Sequence, residues 1–242
     1  MRRLAPDLAD LDDDGLAGAY SVPAGRHLRV NFIAALDGAI SVQGRSGGLG
    51  SPGDRRVFQV LRALADGVLV GAGTAAAEGY RPITAGSPVG LLRAQLGRPA
   101  VAPVVVTSRR ASLSPTDQLV TGAVVPTVLV TCAAADPDRR AALAAAGVDV
   151  LVCGDEDVDL PAAIDALAER GVQQLVCEGG PALFQAALTA GVVDELDLSI
   201  SPLLVGGGPG LLPGALPTPA RAELRQVLAE DDVLFTRWSL RP

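Results

Sequence analysis

Five short runs of valine and leucine set the tightest limit on the fold of this chain: Gly67–Val70, Pro103–Thr107, Thr127–Thr131, Val148–Cys153 and Val172–Cys177. Each is mainly apolar instead of alternating, as expected of strands buried on both faces of a parallel sheet. Helical patterns lie between the runs. Val57, Phe58, Leu61, Leu64 and Ala65 recur at helical spacing after Ser51-Pro52, which suits an N-cap and a first helical residue. Further helices are predicted from Asp136-Pro137 through Ala146, over Leu160, Ala163, Ile164 and Leu167, and over Leu183, Phe184, Ala187 and Leu188. A short alanine-rich helix follows Gly71-Ala72-Gly73-Thr74 and ends near Glu78-Gly79. The repeating strand, turn and helix define an α/β fold with a mostly parallel central sheet flanked by helices.

The two ends depart from that rhythm. Leu28–Leu36 (LRVNFIAAL) is an apolar strand holding one polar residue, Asn31, and it closes on the turn dipeptide Asp37-Gly38. Asp194–Leu204 is a long strand entering Gly206-Gly207-Gly208, and Val233–Leu240 alternates, which predicts antiparallel C-terminal edge strands. Residues 81–99 form a Pro- and Gly-rich connection expected to be irregular and to border the site. Residues 1–26, acidic and broken by Pro6, Gly15, Pro23 and Gly25, are expected to be an N-terminal extension over the surface, with 27–242 as a single domain.

Composition removes several kinds of chemistry. A net charge of −7 makes nucleic acid and anionic membranes poor partners. No apolar run approaches the roughly 20 residues of a membrane span, and the acidic N-terminus lacks the apolar core of a signal peptide, so a cytoplasmic location is expected. The chain has no lysine, which excludes Schiff-base and pyridoxal phosphate chemistry. The single histidine, His27, argues against a Ser-His-Asp hydrolase and a histidine metal site, and no metal is expected. Cys132, Cys153 and Cys177 are odd in number and widely spaced, as buried free thiols would be. Carboxylate-assisted or cofactor chemistry remains.

Ligands of open α/β sheets bind beyond the carboxyl ends of the strands, and three such ends carry suitable residues. At Gly71-Ala72-Gly73-Thr74, bare backbone could approach a phosphate and Thr74 could donate to it; an ordinary tight turn is the alternative. Thr107-Ser108-Arg109-Arg110 gathers hydroxyls and guanidinium groups that could hold the 2′-phosphate of NADP, or could be a solvated loop. At Glu178-Gly179-Gly180-Pro181, a carboxylate ends a buried strand, which is costly unless it faces a cleft, so Glu178 is the foremost functional candidate. Gly206–Gly210 lacks the Lys-Ser/Thr ending of a phosphate loop and is treated as a turn.

The succession VNFIAALDGAI, VLVGAGTAAAEGYRP, VVVTSR and LVCEGGPALFQAALTAGVVDELDLSISPLLVGGG resembles, in order and spacing, the riboflavin-biosynthesis reductase family, from about Leu28 to the C-terminus. The resemblance implies a dihydrofolate-reductase-like fold, NADPH as cofactor, and reduction of 5-amino-6-ribosylamino-pyrimidinedione 5′-phosphate from ribosyl to ribityl. The deaminase domain that often precedes this reductase is not expected, since 26 residues are too few for it. Carried over by position, Thr74, Ser108, Gly179, Gly180, Pro181 and the strand backbone near Ala34 would line the cofactor, with Gly71, Gly73, Thr107 and Arg109 beside them. Asn31, Ser46, Arg62, Glu78 and Glu178 would face the substrate. Asn31 stands where many bacterial members have Lys, and Glu78 where the family usually has Asp. Asp37 matches the family's Asp-Gly pair and is a catalytic candidate or a turn residue; Arg62 could equally serve the helix dipole. Gly48-Leu49-Gly50 replaces a Trp-Ile-Thr stretch common in bacterial members, which leaves open a pterin or other imine reductase, or a non-catalytic nucleotide-binding paralogue. A homodimer joined through exposed C-terminal edge strands is expected.

Overall fold

The computed structural model describes residues 1–240. Eleven strands form one sheet. In chain order they are β1 (Arg2–Ala5), β2 (Ala9–Asp10), β3 (His27–Ala35), β4 (Gly67–Gly71), β5 (Val104–Thr107), β6 (Val128–Thr131), β7 (Asp149–Val152), β8 (Gln174–Cys177), β9 (Glu195–Ser201), β10 (Glu223–Glu230) and β11 (Val233–Ser239). Their spatial order is β2-β1-β10-β11-β9-β3-β8-β4-β5-β6-β7. The stretch from β9 to β7 is parallel, and β11, β10, β1 and β2 add to it antiparallel. The expected architecture is therefore present. The helices are α1 (Asp13–Tyr20), α2 (Pro52–Leu64), α3 (Ala72–Glu78), α4 (Pro88–Gln95), α5 (Gln118–Thr121), α6 (Pro137–Ala145), α7 (Leu160–Glu169) and α8 (Pro181–Thr189). None of the described helices is long and apolar enough to cross a membrane.

The unbroken apolar runs are explained by cover on both faces. Leu69, Val105, Leu175 and Cys177 point into a core shared with α7 and α8, through Ile164, Leu167, Leu183 and Phe184. Their neighbours Val68 and Val176 point the other way, onto Val57, Val60 and Leu61 of α2, and Val104 and Val106 onto Leu143 of α6. The three cysteines are buried and free, and burial pushes the Cys177 thiol up to about 12.

Two segments differ from the sequence reading, and a third is unassigned in it. Residues 81–99 contain α4, capped by the Ser87 hydroxyl, and its Arg93 donates to the Arg62, Ala63, Ala65 and Pro99 carbonyls. Residues 223–230, a stretch of Glu, Leu, Arg, Gln and Ala that favours helix by propensity, are strand β10. Their partner decides: β10 and β11 form a hairpin whose turn residues, Asp231 and Asp232, both take positive φ (51° and 63°), as tight hairpin turns require. Residues 1–26 contribute β1, β2 and α1, and Leu16 and Tyr20 are fully buried against Leu61, Leu228 and Phe235. β1 pairs with β10, so the C-terminal hairpin presents no bare edge there, and the edge argument for a dimer loses its basis.

Strand β9 has an inverted interior. Glu195, Asp197, Ser199 and Ser201 are its buried residues, while Leu196, Leu198 and Ile200 are half-buried. Glu195 pairs with Arg29 at 3.1 Å and with Arg237 at 2.6 Å, and both arginines also donate to carbonyls at the end of α1, Tyr20 and Ala19. Asp197 belongs to this network, its Oδ2 3.8 Å from Arg29 Nε, and burial pushes its carboxyl up to about 8 against the pull of Arg29. The folded value lies above the ordinary 3.8, so the fold retains a proton that the unfolded chain releases. This group's contribution to stability is complete below that ordinary value and is lost as pH rises toward 8. Asp197→Asn should remove the decline: urea midpoints of variant and wild type should converge near pH 4 and diverge in the variant's favour by roughly pH 9. Parallel profiles would mean that Asp197 is ionised in the fold.

Candidate active site

Glu178 follows directly on β8, its amide donating to the Leu69 carbonyl (2.9 Å), and its side chain is 3% exposed. It is buried because it is paired. Arg62, in the last turn of α2, donates from Nε to Oε1 (2.6 Å) and from Nη2 to Oε2 (2.7 Å), and the Tyr80 hydroxyl donates to Oε2 (2.5 Å). The Arg62 guanidinium is stacked against Phe58 at 4.2 Å and Tyr80 at 5.2 Å. Tyr80 reaches this position because α3 ends on Gly79 in the left-handed region (φ 67°). Burial and the neighbouring carboxylate hold the Tyr80 hydroxyl well above its usual range. Burial pulls Arg62 down, but Glu178 more than offsets it, and the guanidinium stays charged. The triad is a fixed, charge-balanced acceptor.

Beside it opens a cavity of about 510 Å³ beyond the carboxyl ends of β3, β4 and β8. Asn31, Ser46, Gly73, Thr74, Glu78, Glu178, Gly180 and Pro181 all line it, so half of the residues assigned from the sequence meet in one place. The Glu78 carboxylate accepts from the Ser46 amide at 2.9 Å and so ties the glycine-rich loop to α3. Arg62 is not on this wall. It lines an adjoining cavity of about 520 Å³ that shares Ser46, Arg55, Phe58, Glu78 and Tyr80 with the first. Arg62 is reserved for Glu178, whereas the side chains of Arg55 and Arg81 beside it make no ion pair or hydrogen bond among the described residues.

A third concavity of about 450 Å³ joins the main cavity at Gly73 and is lined by Gly71, Thr107, Ser108, Arg109 and Arg110. Where the two meet, backbone segments nearly touch: the Gly71 amide donates to the Gly179 carbonyl at 2.7 Å. A Cβ on Gly180 would lie 2.5 Å from Thr74 Oγ1, and one on Gly179 (φ 78°) would lie 2.7 Å from the Phe32 ring. Gly179 is favoured by its left-handed backbone, and a side chain at Gly180 would have to displace the Thr74 hydroxyl. Helix α8 begins at Pro181 with no side-chain cap, so its first amides are open to an anion. Thr107 Oγ1 is buried in this groove without a partner, an orphan that a bound ligand would satisfy. The Ser108 hydroxyl is already engaged with Ser112, from whose amide it accepts at 3.0 Å.

Two assigned residues lie elsewhere. Ala34 is buried in β3 and lines none of these cavities. Asp37 accepts from the Gly206 amide at 2.6 Å and the Val205 amide at 2.9 Å, bonds that hold its carboxyl below the usual range. It anchors the glycine-rich segment after β9 and does not reach the cavity. Conversely, Tyr80 and Asp54 belong to the site and were not singled out from the sequence. Tyr80 follows a helix-ending glycine, and Asp54 looks like an ordinary first-turn acid after Ser51.

A cleft beyond the strand ends of a parallel sheet, with an apolar slot, a few convergent polar groups and a groove of open amides beside it, defines a small-molecule enzyme of the α/β class. The chain matches the family model described as RibD C-terminal domain over residues 26–233, and it belongs to that family. It is 31% identical over 178 residues to the 2,5-diamino-6-ribosylamino-4(3H)-pyrimidinone 5′-phosphate reductase of Methanothermobacter thermautotrophicus, covering 74% of this chain and 78% of that one. The enzyme of the same name from Archaeoglobus fulgidus is 29% identical over 179 residues, covering 74% and 81%. Among solved structures, a pyrimidine reductase-like protein from Corynebacterium diphtheriae superposes with a TM-score of 0.78 at 26% identity, covering 90% of this chain and 92% of that one. The resemblance drawn from the sequence motifs is thereby confirmed.

Removing one partner of a buried ion pair strands the other charge. Arg62→Met keeps the packing between Phe58 and Tyr80 but leaves Glu178 with Tyr80 alone, and should cost about 3–5 kcal/mol of unfolding free energy in urea. A loss below about 1 kcal/mol would show that the carboxylate is neutral or rehydrated without Arg62.

Proposed function

We propose that this chain is an NADPH-dependent reductase of riboflavin synthesis that converts the ribosyl group of a 6-ribosylaminopyrimidine 5′-phosphate to ribityl. The observation that carries this reading is the ion-paired Glu178 carboxylate on the wall of a heterocycle-sized cavity that adjoins a glycine-walled groove at Gly73. A bound reduced nicotinamide would supply hydride to the substrate's C1′, opened to an imine, while the attached nitrogen takes up a proton. Thr74, Thr107, Gly179, Gly180 and Pro181 would hold the dinucleotide, and the unpaired Arg109 and Arg110 suit a 2′-phosphate. Glu178, locked by Arg62 and Tyr80, would orient substrate donors toward the hydride. Arg55 and Arg81, both exposed beside the adjoining cavity, suit the 5′-phosphate. Asp37 is assigned to anchoring its loop.

The proposal includes a cytoplasmic homodimer, for which the exposed Leu224 and Leu234 of the C-terminal hairpin replace edge pairing as the support. The test is loss of reduced-nicotinamide absorbance with the pyrimidine phosphate, with dihydrofolate as the contrasting substrate. Glu178→Gln, which keeps an oxygen for Arg62 to donate to, should fold with reduced stability and lose about 10²-fold in kcat. An unchanged kcat would remove Glu178 from the mechanism. By fluorescence titration, Thr74→Val and the Arg109→Ala/Arg110→Ala pair should each weaken NADPH binding about tenfold, and only the arginine pair should erase a preference over NADH. Equal loss toward both dinucleotides in the arginine variant would place the 2′-phosphate elsewhere.

A further inference from the structure

Helix α4 and the turn after it carry two arginines that neither the cavities nor the groove accounts for. Arg93 lies in the last turn of α4 and is 2% exposed. Among the described residues its hydrogen bonds run to carbonyls and to no carboxylate. Nη1 donates to the carbonyls of Arg62 (3.2 Å), Ala63 (3.3 Å) and Ala65, and Nε to that of Pro99 (2.7 Å). The Arg62 and Ala63 carbonyls are among the last of α2, where no intrahelical amide is left to meet them, and a cation there also faces the negative end of the helix dipole. Burial still pulls the Arg93 guanidinium down to about 10. A charge is thus kept where its solvation is poor. Arg98, whose amide donates to the Arg93 carbonyl at 2.9 Å, pairs with Asp66. Asp66 in turn accepts at Oδ2 from the amides of Gln173 (3.0 Å) and Gln174 (2.8 Å), at the start of β8. The helix that bears these groups is itself fixed, since a Cβ at Gly90 would lie 2.1 Å from the Thr84 carbonyl and 2.9 Å from that of Ala100.

Arg62 projects from the end of α2 and Glu178 follows the end of β8, and one clamp grips both elements. We infer that Arg93, with Arg98 behind it, is a positioning residue that holds the Arg62 guanidinium on the Glu178 carboxylate. Arg93 reaches the Arg62 main chain and not its guanidinium, so it acts through the helix end. A bidentate pair tolerates little displacement, and its bonds of 2.6 and 2.7 Å would both distort if the last turn of α2 slid or rotated. The consequence for catalysis rests on the proposed reduction, in which Glu178 orients the substrate. A small misplacement of an orienting group lowers the rate of the chemical step more than it weakens binding.

The test measures kcat and KM of Arg93→Met and Arg93→Lys with the ribosylaminopyrimidine phosphate, together with the exchange of the Arg62 Nε–H with water, read by NMR on protein carrying isotope-labelled arginine. Arg93→Met keeps an apolar stem and removes the donors. It should lower kcat about tenfold with KM for both reactants nearly unchanged, and should speed the Arg62 Nε–H exchange by about tenfold or more. Arg93→Lys, whose ammonium can still donate to the carbonyls of α2, should recover most of both. A packing role alone would lower the urea midpoint and leave the folded enzyme with wild-type kcat and exchange. That result, or a loss of kcat with the Arg62 exchange unmoved, overturns the inference. If Arg93→Met does not fold, Arg98→Ala decides: about a threefold loss of kcat with faster Arg62 exchange is expected, and wild-type values in both overturn the inference. Should wild type reduce no pyrimidine, the reductase reading falls and the Arg62 exchange rate decides the inference alone.

Discussion

A carboxylate placed at the end of a strand that is covered on both faces must find donors or lose its charge, and the pairing of Glu178 with Arg62 and Tyr80 is how this fold meets that demand. The consequences spread outward. Arg62 has to come from the last turn of α2, which fixes the rotation and length of that helix; Tyr80 has to follow a left-handed glycine, which fixes where α3 stops. Phe58 and Tyr80 enclose the guanidinium, and the same two rings line both adjoining cavities. One ion pair thus sets the positions of two helices and the shape of the substrate space.

A second polar layer works differently. The inward face of β9 carries Glu195, Asp197 and Ser199, and its arginine partners also bind the carbonyls that end α1. This network joins the N-terminal helix to the sheet where a purely apolar face would have supplied only area. Further along the same face, Ser199 reaches Asp54, so the interior polarity of one strand continues into the cavity.

The parallel core was legible from the sequence because strands buried on both sides leave a run of valines and leucines that few other structures tolerate. Glu178 was legible for the same reason, as a charge in a place where a charge is expensive. What escaped notice depended on tertiary partners. The helix-favouring residues 223–230 are strand because β11 and β1 flank them. Residues 1–26 look like a surface extension because their turns and acids dominate, although Leu16 and Tyr20 complete the core. Tyr80 and Asp54 have ordinary local signatures, a residue after a C-cap and an acid in a first turn, and only the approach of distant segments gives them a role. Asp37 carried two readings, catalytic or turn residue, and its bonds to the loop after β9 fit the second.

The close approach of Gly180 to Thr74, with Gly179 against Phe32, leaves one wall of the cleft made of bare main chain. Such a wall resists retuning by side-chain exchange, since a Cβ at either position presses on Thr74 or Phe32. The opposite wall, from β3 and the start of α2, is built of side chains that could be exchanged singly. Descent from a common ancestor would then leave the dinucleotide half nearly invariant while the heterocycle half drifts, and a designer seeking new ring specificity has only one side of the cleft on which to work.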